Sequence, residues 1–173
     1  MPNRTLDQTM SALAPYLDEF DQITRGAHAR YRAYNPADLL EHDARAQAAC
    51  TYSHMNAEAE RRFIGKSGVI GLEIRGLKLW LFEEANGVIR LKKMDEDGNT
   101  RNYPTEQAKD FDRGWDLPGL PMAPVRLTAG YLLDKTGTQF ERSQIARLWG
   151  KSGQNGAPQL FQVMAATLRI RLG

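Results

Sequence analysis

Arg75-Gly76-Leu77-Lys78-Leu79-Trp80-Leu81-Phe82, followed after a short break by Val88-Ile89-Arg90-Leu91-Lys92-Lys93-Met94, is the stretch whose pattern decides the fold. Residues alternate with a period of two, and in a β-strand that period sends successive side chains to opposite faces. The break contains Asn86-Gly87, a pair that tolerates the positive φ of a tight two-residue turn. The pattern predicts two adjacent strands. In the second, Ile89 and Leu91 are expected to enter a core while Arg90 and Lys92 point outward. In the first, Lys78 shares a face with Trp80 and Phe82, opposite Leu77, Leu79 and Leu81. A face of cations and aromatics suits stacked bases and phosphates, so Lys78, Trp80, Arg90 and Lys92 are the candidate nucleic-acid-binding residues. The competing reading puts Trp80 and Phe82 in a core beneath a helix.

The same period extends before and after this pair. Ile70, Leu72 and Ile74 alternate within 69–75, and Asn99 to Tyr103 follows the Asp97-Gly98 turn signal as a short fourth strand. Val125, Leu127, Ala129, Tyr131 and Leu133 mark a later strand, after which 138–148 reads as strand or helix. Helical spacing dominates the flanks. Thr5-Leu6-Asp7-Gln8 has the form of a capping box, and Leu6, Met10, Leu13, Leu17 and Phe20 fall on one face of the helix it opens. Pro15 should kink or restart that helix, and Gly26 marks its break. Asn35-Pro36 caps a second helix expected to reach Phe63. A short helix from Pro104 to about Arg113 and a last helix from Pro158 to Leu172 complete the pattern. Strands flanked by helices imply an α+β fold with a largely antiparallel sheet. The expected organisation is an N-terminal helical region (1–64), a sheet-containing core (65–150) and a C-terminal helix (151–173), forming one compact domain.

Composition narrows the functional classes. The chain has 173 residues, is 42% apolar and 25% charged, and contains no apolar run of the roughly 20 residues a bilayer span requires. Its N-terminus does not read as a signal peptide, and the single cysteine, Cys50, excludes an intramolecular disulfide. Both features predict a cytoplasmic protein without a membrane partner. Net charge is +2 but uneven: residues 1–60 carry −4 and residues 135–173 carry +5. Such an asymmetry suits phosphate contact, self-association, or an ordinary solvated surface.

Catalytic and metal signatures are incomplete. His28, His42 and His54 are scattered, and the last two stand about 120° apart on a continuous helix, so no metal or other cofactor is expected. Gly150-Lys151-Ser152 ends like a phosphate-binding loop, but Ile145 stands where its first glycine belongs. Ser143 to Gly150 resembles the first helix and turn of a helix-turn-helix, yet the glycines and proline that follow will not hold a recognition helix. The order helix, three strands, helix, strand matches a PD-(D/E)xK nuclease core, which needs paired acids near a lysine. Glu73, Glu83 and Lys92 are the weak candidates for such a centre. Alternation would let Glu73 and Glu83 share a face, but Arg90 occupies the position of the acid two residues before Lys92. No reaction can be assigned on these residues.

Ile74-Arg75-Gly76-Leu77-Lys78, Ile89 to Gly98, Asn102-Tyr103-Pro104-Thr105 and Gly130-Tyr131-Leu132-Leu133-Asp134 together resemble an uncharacterised bacterial protein family found on mobile genetic elements. Its members are encoded beside helix-turn-helix proteins fused to ImmA/IrrE-type metallopeptidases. The resemblance covers roughly residues 27–150. It implies the effector or target half of a toxin–antitoxin or phage-defence pair, acting on or near nucleic acid and held by a cognate protein partner. This chain has no H-E-x-x-H and is not the peptidase. The alternatives are a non-enzymatic protein-interaction module and a degenerate nuclease.

Overall fold

The computed structural model describes residues 4–74, 76–100, 106–113, 119–120 and 124–147. It adds the backbone alone for residues 159–164 and 167–171, and for positions 106–108 and 113 within a helix. Helices α1 (Leu6–Leu13), α2 (Leu17–Arg32), α3 (Pro36–Glu41) and α4 (Ala44–Phe63) precede strands β1 (Val69–Ile74), β2 (Leu77–Phe82) and β3 (Gly87–Lys93). Helix α5 (Glu106–Arg113) then leads to β4 (Val125–Leu133), β5 (Phe140–Arg147), β6 (Gln159–Met164) and β7 (Thr167–Arg171). The strands form one sheet in chain order. All neighbours pair antiparallel except β3 and β4, which are parallel, with α5 in the crossover. The fold is α+β, and among the described residues no helix is long and apolar enough to cross a membrane.

Local chemistry explains the helical layer. The Thr5 side chain accepts from the Gln8 amide, while the Gln8 side chain accepts from the Thr5 N–H, closing the capping box. Pro15 restarts the chain through a 3₁₀ turn, Ala14–Tyr16. Gly26 does not break α2: the helix runs through it, secured by packing against α4. The second helix is in turn two helices. His42 adopts extended backbone, and the Asp43 carboxylate caps α4 by accepting from the Ala46 amide at 2.8 Å.

Helices α1, α2 and α4 cover one face of the sheet. Phe20, Ile23, Met55 and Phe63 meet Trp80, Phe82, Ile89, Leu91, Leu127 and Ile145 in the main core. Trp80 and Phe82 are therefore core residues, with the Trp80 ring 5.2 Å from Phe63. A buried polar contact fastens α2 to β5: Ser143 Oγ donates to Asp21 Oδ1 at 2.6 Å and lies 2.7 Å from Thr24 Oγ1. On the other face, Phe111 of α5 joins Leu77, Leu79 and Val88 in a smaller core.

Three further expectations change. The β2–β3 connection is a four-residue loop, Glu83–Asn86, in which Asn86 alone takes positive φ (44°). Asn99 and Thr100 belong to no strand, and 101–103 lie outside the described residues. Within 138–148, where the sequence leaves both strand and helix open, Phe140–Arg147 is strand β5. Finally, the described part of 158–172 is not a helix: β6 and β7 form a hairpin that extends the sheet beyond β5. Thr167–Arg171 alternates with strand period, Gln159–Met164 is a short run with four apolar residues, and the open edge of β5 supplies the hydrogen-bond partners that a strand needs.

Candidate anion-binding cleft

Strand β2 pairs with β1 along its whole length, from Leu77 to Phe82, but with β3 only at Phe82↔Gly87, Leu81↔Val88 and Trp80↔Ile89. Beyond Ile89, strand β3 remains paired with β4 through Lys93↔Tyr131. The two halves of the sheet therefore part where Arg90 and Lys92 project. Side chains from both covering layers reach this split, Tyr52 from α4 and Phe111 with Asp112 from α5.

Arg90 does not face solvent. It is 1% exposed, the largest fully buried side chain among the described residues. Its Nη2 donates to Asp112 Oδ1 at 2.6 Å, its Nε donates to Thr128 Oγ1 at 3.0 Å, and its guanidinium lies 4.9 Å from the Phe111 ring centroid. The expectation of an outward Arg90 fails because α5 covers that face of the sheet, so an alternation read as core and solvent is here core and core. Arg126 lies 5.6 Å from the same Phe111 ring and donates to the Asp110 and Phe111 carbonyls.

Lys92 is half-buried, its Nζ 5.2 Å from the Tyr52 ring centroid. No carboxylate lies within ion-pairing distance of it among the described residues. Burial, then the neighbouring Arg90 charge, pulls the Lys92 pKa below the usual lysine value, against the attraction of Asp112. Asp112 is pushed above the ordinary carboxylate range by burial, with Arg90 opposing the shift. The cleft thus gathers two cations around one carboxylate. Such a group favours an added anion, because the anion would neutralise charge that the protein leaves uncompensated.

The remaining candidates are dispersed. Lys78 is exposed and faces Glu73 across the β1–β2 ladder. Trp80 presents no stacking face to solvent. Glu83 and Glu84 are exposed at the loop after β2. The register pairs Glu73 with Lys78, so odd residues of β1 share a face with even residues of β2, and Glu73 and Glu83 lie on opposite faces. They are also five strand residues apart, roughly 17 Å at the usual rise. No shared ion fits between them, and among the described residues no three His, Cys, Asp or Glu side chains gather to hold a metal.

His42 and His54 meet an unexpected environment. Because the helix breaks before Ala44, both reach Tyr34, with ring centroids 6.2 and 5.6 Å away. Tyr34 Oη lies 2.8 Å from His54 Nε2, and Tyr31 Oη lies 3.3 Å from His42 Nδ1. They act as helix-interface residues. Nothing in the sequence marks Asp112, Tyr52 or Thr128, which reach the cleft only through contacts between distant segments.

No protein-family model, curated protein or solved structure matches the chain.

Proposed function

We propose that this chain is the nucleic-acid-facing component of a bacterial two-gene toxin–antitoxin or phage-defence pair, with the β2–β3 cleft contacting phosphate through Lys92. The observation that supports phosphate contact is the half-buried Lys92 ammonium, which has Arg90 beside it and no carboxylate of its own among the described residues. Tyr52 lines the same place and offers an aromatic surface beside the charge. The two-gene context rests on the sequence resemblance described above, and it implies a cognate protein partner that restrains the chain. Binding is proposed, without bond cleavage, since the acids a hydrolytic centre would use are spread over separate faces.

Fluorescence anisotropy with labelled single-stranded and duplex oligonucleotides tests the phosphate contact. Affinity should fall steeply with salt, and Lys92→Glu should weaken binding and lower the salt slope by about one for each phosphate that the variant no longer neutralises. Arg90 is the wrong probe, since its loss also removes a buried ion pair and lowers stability. Salt-independent binding, or no binding, rejects the phosphate contact. Expression with and without the neighbouring gene tests the pairing: toxicity relieved by the neighbour supports it, and harmless expression without complex formation rejects it.

A further inference from the structure

A second depression lies on the α4 side of the β1–β2 hairpin. It has a volume of about 180 Å³ and is lined by Asn56, Glu60, Gly71, Glu73, Lys78 and Trp80, with Leu72 and Leu79. Asn56 and Trp80 are each more than nine-tenths buried and hold unsatisfied polar atoms. Asn56 donates from Nδ2 to the Tyr52 carbonyl of its own helix, which leaves its Oδ1 without a donor. Trp80 Nε1 has no acceptor. Buried polar groups are normally paired, so the open Oδ1 of Asn56, a residue that lines the cavity, points to a ligand that completes it. Glu60 and Glu73 add two carboxylates, and neither is ion-paired among the described residues. Among the described residues, Lys78 is the only cation that lines the cavity.

Strand β1 is the edge of the sheet, hydrogen-bonded on its β2 side alone among the described residues. An extended segment added outside it would continue the ladder. Gly71 pairs with Trp80, so a residue of the added strand opposite Gly71 would project on the α4 side. Gly71 brings no side chain there to bar the way. A Cβ at this position would stand 3.2 Å from the Trp80 ring, so the glycine keeps this end of the cavity open.

We infer that this depression receives an arginine side chain carried by an extended segment of a protein partner, which pairs with the outer edge of β1. The guanidinium is planar, presents five N–H donors and stacks on aromatic faces. Those properties match the Glu60 and Glu73 carboxylates, the open Asn56 Oδ1 and the neighbouring indole. This site differs from the phosphate cleft in its lining residues, Asn56, Glu60 and Glu73, and in taking a ligand of opposite charge.

The test is an NMR titration of the full chain, following the Trp80 indole N–H (assigned with Trp80→Phe) and the β1 amides. The probe is the blocked peptide acetyl-Thr-Val-Arg-Val-Thr-amide, compared with its Gln counterpart and with N-acetyl-arginine amide. The arginine peptide should shift both sets of signals and bind at least about tenfold more tightly than the Gln peptide, as a charge-assisted contact implies. Glu60→Gln and Glu73→Gln should each weaken it by about tenfold without changing the melting temperature, since both sites are exposed. Equal binding of the Arg and Gln peptides, or no shifts at millimolar peptide, overturns the proposal. Binding of N-acetyl-arginine amide as tight as that of the peptide overturns the edge-strand docking. Indifference to both glutamate variants removes the guanidinium site.

Discussion

Replacing Arg90 with Met should destabilise the protein by about 2–3 kcal/mol. Met preserves an unbranched chain of similar length but removes the cation. Asp112 then loses its 2.6 Å partner, the Thr128 hydroxyl loses its donor, and Phe111 loses one of the two guanidinium groups over its ring. Breaking a fully buried ion pair by truncating one member costs roughly 3–5 kcal/mol. Arg90 meets that condition at 1% exposure, but Asp112 is 31% exposed and regains some hydration, which sets the expected cost below that range. Urea unfolding followed by circular dichroism measures it directly. With a slope of about 1–3 kcal/mol per molar for a small protein, the midpoint should fall by roughly 1–2 M. The companion variant Arg90→Met/Asp112→Asn is decisive. Its second substitution removes the stranded charge, so it should recover part of the loss. A cost for Arg90→Met below about 0.5 kcal/mol, within the range of ordinary surface substitutions, would refute the buried-pair reasoning. So would a double variant less stable than the single one.

Two glycines give opposite expectations. A Cβ at Gly130 would stand 1.7 Å from the Lys92 carbonyl oxygen on the paired strand, so Gly130→Ala must push β3 and β4 apart and should cost about 3 kcal/mol or more, read as a collapse of the urea midpoint. Gly26 is exposed within α2 with nothing within 4 Å of its added Cβ, so Gly26→Ala should raise stability by about 0.5–1 kcal/mol in the same assay. His28 is buried between Tyr131 and Phe140, and its pKa is lowered by burial first and then by Arg32, with Lys93 adding to the shift and a backbone hydrogen bond with Thr138 opposing it. The unfolded chain therefore takes up a proton more readily. Stability should be fully present above the unfolded histidine value of about 6.5 and decline as pH falls from there toward the folded pKa. His54 is shifted the same way by burial, Arg30 and Arg61, so His28→Gln should flatten only part of that slope in melting curves taken across the window.

Features that depend on a few consecutive residues were legible in the sequence. The Thr5–Gln8 capping box closes as its spacing implies, and strands β1 to β3 lie where alternation placed them, because period and capping are properties of adjacent residues. The interpretation of that alternation was not local. Ile89 and Arg90 do point to opposite faces, yet both are buried, because α5 returns from a later part of the chain to cover the second face. The parallel β3–β4 pairing, the parting of β2 from β3 and the gathering of Tyr52, Arg90, Lys92 and Asp112 all arise from contacts between distant segments. The same holds at the C-terminus, where 158–172 reads as a helix in isolation and the unpaired edge of β5 selects strands instead. By itself the sequence determined most of the elements and the directions of their side chains. Tertiary structure alone decided which directions lead to water, since the burial of a charge depends on what packs over it.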